Sequence, residues 1–443
     1  MRYKHIFFLS PPFYSHFMPM LTLAKSFQKQ GVRVSFGCSR EFRDLIIASR
    51  LEFHEINLST NKNMGTADDT KQPESERKRL AAFFEATKKG PIETLLTQTN
   101  HRRLDMLSNP KSQMDKIHKI DSQGTVDLWV VDVLSYGATL SLHCLHLPYI
   151  TFCPPHPKTI PGPGEYYGVP ENWPSSFMID REEVTILKNA SSLAQKEFTQ
   201  IFNQYIGKQH IPPVSVENAF RLTSNHTVIY NYFEFNHEEQ TAKKPFRIFM
   251  GHAFEAEHLN QYWQEKVKIP NQKKIMITLG TFLSNRTDVL EQLILGCQAF
   301  DPEALCIVSA GSNTKSIKKY ESSNVMIRSF IPQKALMPHM DVIIHHGGCN
   351  TFTEAVYYGK PMIILPFSSD QFSIGYDAEK NHLGMTLDPN HLEKEQIVNA
   401  IIQVLSQNKK SLEKWSRFSK ERGPDFAAKK ILGIKIKEDK IIG

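Results

Sequence analysis

Ten short apolar runs, each five to nine residues long, punctuate this chain in two series. The first series is HIFFLS, VRVSFGCS, DLWVVDVL, PYITF and TVIYNYFEF. The second is KIMITLG, ALCIVSAG, NVMIRSF, DVIIHHGG and PMIILPF. Runs that are apolar throughout, rather than alternating, suit strands buried on both faces, which is the condition inside a parallel sheet. Helical patterns separate the first runs. An amphipathic stretch over 20–30, closed by Gly31, follows a loop with three prolines, and a second helix is expected over 42–49. Strand, helix, strand in succession means parallel βαβ units. With 443 residues the chain exceeds one core. The fold expected is therefore α/β, with two Rossmann-like, doubly wound domains facing each other across a cleft. The divisions read as an N-terminal domain over 1–236, a polar linker over 237–272, a C-terminal domain over 273–412 and a final helical segment over 413–443.

Two segments break the rhythm. Residues 62–124 are polar and rich in Lys and Arg, with helical periodicity at LAAFFEA and IETLLTQ, and read as a helical excursion. CPPHPKTIPGPGEYYGVPENWPSS holds seven prolines and three glycines and excludes regular structure. A loop of that length in a compact domain is functional or disordered. The net charge of +7 is mild and the basic residues are dispersed, so nucleic acid is not expected as a partner. The six cysteines have no C-x-x-C spacing, which argues against a zinc ribbon and suits buried thiols in the cytoplasm. No apolar run reaches the length of a membrane span, although peripheral membrane contact stays open.

The most polar cluster, HHGGCNTFTE, lies between two of the apolar runs. The strand DVIIHH leads through Gly347 and Gly348 into a helix, so the turn belongs at the carboxyl edge of a parallel sheet, where ligands bind. A helix N-terminus there offers unpaired N–H groups and the positive end of a dipole to a phosphate. Asn350, Thr351 and His346 add side-chain donors, and Glu354 could accept from a ribose diol. Asp370 and Gln371 follow the next strand and suit sugar hydroxyls. Phe330 and Gln333 follow an earlier one and offer an aromatic face and an amide to a base. The competing reading is an ordinary strand–helix turn with a buried histidine and a solvated glutamate.

In order and spacing, F-I-P-Q, H-G-G-C-N-T-F-T-E and G-K-P-M-I-I-L-P-F-S-S-D-Q resemble the donor signature of glycosyltransferase family 1, the UDP-dependent glycosyltransferases. The resemblance implies the GT-B fold. It also implies that His346 contacts the α-phosphate, Asn350 and Thr351 the β-phosphate, Glu354 the ribose, Asp370 and Gln371 the sugar, and Gln333 the base. Gly280 and Thr281 fit the family's other phosphate loop, and the C-terminal helix is expected to return to the N-terminal domain. Phe330 and Cys349 stand where many members have Trp, so a TDP-sugar remains an alternative to a UDP-sugar.

His16 lies in the first βα loop, PPFYSHFMP, and its family equivalent activates the acceptor. Such a base needs a partner to hold its tautomer. Asp132, at the end of an apolar strand, is a poor place for an unpaired carboxylate and matches the family's acidic partner. A structural histidine and a helix cap are the plainer alternatives. The expected reaction is a single displacement that transfers a sugar from UDP-glucose with inversion. The diphosphate is held by protein donors and no metal, since the chain lacks Asp-x-Asp, and the nucleotide sugar is a co-substrate with no further cofactor. Phe13, Tyr14, Ser15, Phe17, Phe84, His156 and Tyr166 are the candidate walls for a hydrophobic small-molecule acceptor such as a polyketide, macrolide or phenol. A membrane-lipid acceptor, a nucleotide-sugar epimerase and a nucleotide-binding module are the rival readings.

Overall fold

The structure is a computed structural model that describes residues 3–63, 74–105, 107–210, 212–235 and 246–434. The N-terminal sheet contains β1 (His5–Leu9), β2 (Arg33–Cys38), β3 (Glu52–Glu55), β4 (Leu128–Asp132), β5 (Tyr149–Cys153), β6 (Val228–Tyr230) and β7 (Arg247–Phe249). The C-terminal sheet contains β8 (Lys274–Thr278), β9 (Leu305–Ser309), β10 (Val325–Arg328), β11 (Val342–His345), β12 (Met362–Ile364) and β13 (Gly384–Thr386). The strand orders are β3-β2-β1-β4-β5-β6-β7 and β10-β9-β8-β11-β12-β13. Every pairing is parallel.

Side chains alternate across the pleat, and both faces are covered. In β1, Ile6 and Phe8 pack in one cluster with the following helix, while Phe7 and Leu9 pack in another with Trp129 and Val131. That is why the strands read as apolar throughout. In each sheet the strand order reverses beside its first strand, between β1 and β4 and between β8 and β11. Chain leaving neighbouring strands diverges at such a point, and a crevice opens at their carboxyl ends.

Several boundaries differ from the sequence reading. The helix after β1 spans Tyr14–Lys29, with Pro19 inside it, rather than starting near residue 20. The expected linker contains β7, the edge strand of the first sheet, and a helix over Gln261–Val267. Polar flanks hid a three-residue strand that needs only one paired edge. The TVIYNYFEF run is strand only over β6. Its remaining aromatics, Tyr232, Phe233 and Phe235, are buried in a cluster with Phe352 and Trp415 of the second half. Burial at a junction leaves the same apolar pattern as burial in a sheet. The C-terminal segment forms two helices, Lys410–Glu421 and Gly423–Leu432, which meet at Gly423 with φ +72. A Cβ there would lie 2.6 Å from the His252 ring. The first helix stays on the second half, where Ser416 Oγ donates to the Tyr357 carbonyl at 2.6 Å. The second packs Ala427, Ala428 and Leu432 into the core beneath the Tyr14–Lys29 helix. Residues 435–443 lie outside the described residues.

Candidate active site

β1 and β4 are neighbours, with Leu9 opposite Val131, so the loop after one and the last residue of the other converge. His16 sits in the first turn of the helix after β1, and its Nδ1 lies 2.9 Å from Asp132 Oδ2. Asp132 is fully buried. Its other oxygen accepts from the Leu134 backbone N–H at 2.8 Å. With Nδ1–H donated to the carboxylate, Nε2 keeps its lone pair, and the ring borders the cleft. The sequence could not supply the distance, because 116 residues separate the two groups.

The second half is built the same way. His345, last in β11, pairs with Thr278, last in β8, so the loops that carry His346 and Gly280 meet. The His346 ring lies between two glycines. A Cβ on Gly280 (φ +71) would come 2.7 Å from its Cε1, and one on Gly348 would come 2.5 Å from its Nε2. Burial lowers the His346 pKa to about 4, the Thr278 backbone acting in the opposite direction, so the ring is neutral at physiological pH. Gly348 caps the Cys349–Tyr357 helix, whose N-terminus faces the same cavity. Thr351 lines the cavity and accepts from Gln333 Nε2 at 3.2 Å. The same Gln333 amide donates to Glu354 Oε2 at 2.7 Å. Burial raises the Glu354 carboxyl to about 7, against the lowering effect of the Gln333 hydrogen bond.

One cavity of about 620 Å³ joins the two groups. It gathers His16 with Gly280, His346, Gly348, Asn350, Thr351, Asp370 and Gln371. Phe13, Tyr14 and Ser15 line it too. Phe330, Gln333 and Glu354 are outside its lining, with Phe330 largely exposed. The Thr281 side chain lies outside the described residues. Four expected acceptor walls lie outside this cavity's lining. Phe17 is fully buried against Phe36 and Phe42, because it occupies the inner face of its helix. Phe83 lines the cavity in place of Phe84, since adjacent helical residues point about 100° apart. His156 is buried, with Nε2 2.9 Å from Asp377 Oδ2. Tyr166 is not part of the lining.

The cavity also recruits residues with no motif around them. Asn61, Asn63, Gln98 and His101 line it from the first half. Asn350 donates from Nδ2 to the Ser15 carbonyl at 2.9 Å and accepts from Asn231 Nδ2 at 3.0 Å. Proline at 19 has no N–H for the Ser15 carbonyl four residues earlier, so that acceptor is open to a partner from the other domain. An amide nitrogen carries two hydrogens, which leaves Asn350 a second one for a ligand.

Residues 291–425 match the C-terminal domain of erythromycin biosynthesis protein CIII-like proteins, and residues 16–118 match the glycosyltransferase family 28 N-terminal domain. The chain has the GT-B fold, and both of its halves resemble glycosyltransferases in sequence. Among curated relatives, the uncharacterized UDP-glucosyltransferase YojK of Bacillus subtilis is 26% identical over 162 residues, 36% of this chain and 38% of that protein. Against this first relative, the match therefore spans little more than a third of its length. The NDP-glycosyltransferase YjiC of the same organism is 20% identical over 95% of this chain and 94% of its own. Among solved structures, the glycotransferase of kitacinnamycin superposes with a TM-score of 0.66 at 16% identity, covering 97% of this chain and 98% of that one. Spinosyn rhamnosyltransferase SpnG, complexed with thymidine diphosphate, does so at 0.61 and 14% identity, covering 97% and 100%. No described helix is long and apolar enough to cross a membrane.

Proposed function

We propose that this GT-B chain is an inverting, metal-independent hexosyltransferase. It would move a sugar from a nucleotide donor, UDP-glucose being the first candidate, to a hydroxyl of a hydrophobic natural product. The observation that carries the proposal is the His16–Asp132 pair, 2.9 Å apart, on the same cavity as the His346 turn. In the proposed step His16 Nε2 takes the acceptor proton as the oxygen attacks the anomeric carbon, and Asp132 stabilises the imidazolium. The bond from that carbon to the phosphate oxygen breaks, and the nucleoside diphosphate leaves with the electron pair. Attack opposite the leaving group turns an α-linked donor into a β-linked product.

The leaving charge would fall on the N-terminus of the Cys349–Tyr357 helix, on Thr351 and on His346. Asp370 is the only carboxylate among the described lining residues, which supports a diphosphate held by donors rather than through a metal. Apolar and aromatic walls at Phe13, Tyr14, Leu80 and Phe83 support an acceptor of the kind named for the kitacinnamycin and spinosyn enzymes. The curated relatives favour UDP, and the SpnG complex keeps TDP as the second candidate. Six unpaired, buried cysteines suit a reducing cytoplasm.

Melting the protein with UDP, TDP, GDP and ADP tests the donor reading. A ligand at 100 times its dissociation constant adds about 2.7 kcal/mol, a shift of several degrees. The expected result is a shift with UDP or TDP and none with GDP or ADP. His16→Ala should keep that shift while turnover falls about 10²–10⁴-fold. A variant with wild-type turnover would remove His16 from the mechanism.

A further inference from the structure

The loop over residues 368–371 of the second half is held from two sides. From within, Gln371 Oε1 accepts from the Phe367 and Ser368 backbone N–H groups at 2.9 and 3.2 Å, and the Gln371 N–H donates to the Ser368 carbonyl at 3.1 Å, but none of these bonds holds Ser369. Ser369 has φ +53, a left-handed conformation that side chains other than glycine rarely adopt. It is gripped from across the cleft by Gln98, on the Pro91–Asp105 helix of the first half. Gln98 Nε2 donates to Ser369 Oγ at 2.9 Å, and the Ser369 backbone N–H donates to Gln98 Oε1 at 3.1 Å. The next residue is also held from across the cleft, since Asp370 Oδ2 accepts from the His156 backbone N–H at 2.9 Å. Phe372 then plugs fully buried into an apolar cluster with Ile92 and Leu95, which belong to the same helix as Gln98. Gln98, Asp370 and Gln371 share the cavity lining.

The geometry points to Gln98 as a positioning residue that shapes the sugar-recognition loop from the acceptor-side domain. Recognition of the transferred sugar is then a property of the closed pair of domains, while the side chains assigned to the nucleoside diphosphate all belong to the second half and none of them touches Gln98. This rests on the donor reading above, which supplies the sugar for Asp370 and Gln371 to meet.

Calorimetric titration of UDP and UDP-glucose, and of TDP and TDP-glucose, into wild type, Gln98→Ala and the double variant Gln98→Ala/Ser369→Gly tests it. Loss of two neutral hydrogen bonds should weaken the nucleotide sugar about tenfold in Gln98→Ala, with the free diphosphate unchanged within twofold. The double variant should recover most of the loss, because glycine adopts the left-handed conformation without being held. Equal weakening of diphosphate and nucleotide sugar, no change in either, or no recovery in the double variant would overturn the inference and leave the donor site standing. Failure of wild type to bind either diphosphate would overturn the donor reading, and this inference with it.

Discussion

Glu354 is a carboxyl group in a place that penalises charge. It is buried, and its main partner is the Gln333 amide. Its pKa rises from 4.5 to about 7, so the folded protein binds its proton more tightly than the unfolded chain does. Stability from this group is therefore greatest below pH 4.5, falls as pH rises to about 7, and is flat beyond. Glu354→Gln removes the titration and keeps an acceptor for Gln333. The variant should gain stability over wild type between pH 5 and 8 by about 3 kcal/mol, read by urea unfolding at each pH. His346, whose lowered pKa gives the opposite slope, is common to both proteins and cancels in the difference. A constant difference across that range would mean Glu354 is ionised throughout. Both residues were visible in the sequence as donor-site candidates. Their altered titration was not, because removal from bulk solvent is a property of the folded turn.

Helices carry the reacting groups, and what lies beneath a helix governs its aim. The Tyr14–Lys29 helix brings His16 to the cleft and rests on Ala427, Ala428 and Leu432 of the last described helix. Ending the chain after Arg422 would expose that seat. At about 1.5–3 kcal/mol for a buried leucine, plus smaller terms for the alanines, the loss should lower Tm by about 5–10 °C. Turnover should fall more than nucleotide binding, since the helix holds His16 and the phosphate turn lies elsewhere. Unchanged Tm in differential scanning calorimetry would show that the last helix is dispensable. The start of the Tyr14–Lys29 helix was misjudged in the sequence for a physical reason. Proline usually breaks a helix, and here Pro19 is tolerated because the carbonyl it abandons, Ser15, accepts from Asn350 in the other domain.

The two halves are joined by a few deep contacts. Arg286 is nearly buried and reaches the Thr87 carbonyl at 3.0 Å and Asn390 Oδ1 at 2.9 Å, tying the Glu74–Lys89 helix to the second half. Phe372 is the apolar counterpart, packed edge-to-face against Phe177 at 5.3 Å and tilted against Trp173 at 5.0 Å. Phe372→Ala should cost about 3–5 kcal/mol, read by chemical denaturation. It should also split a single unfolding transition into two, as each half loses its hold on the other. A cost below 1 kcal/mol would place the coupling elsewhere.

The sequence by itself determined two series of parallel βαβ units and placed the loops after two of their strands at the carboxyl edge, while the strand orders, and with them β3, β7 and β13, came from the structure. It also determined the residue types at those loops, His16 and Asp132 on one side and the His346 turn on the other. Those features are local: an apolar run, a glycine turn and a helix start are written within ten residues of chain. Only the tertiary structure decided which of Phe83 and Phe84 meets the cavity. It alone turned His156 away toward Asp377 and set Gln98 against Ser369, 271 residues later. It alone gave Asn350 two partners in the first half. Each of these depends on how one domain closes over the other, and a contact between distant segments leaves no periodicity in either.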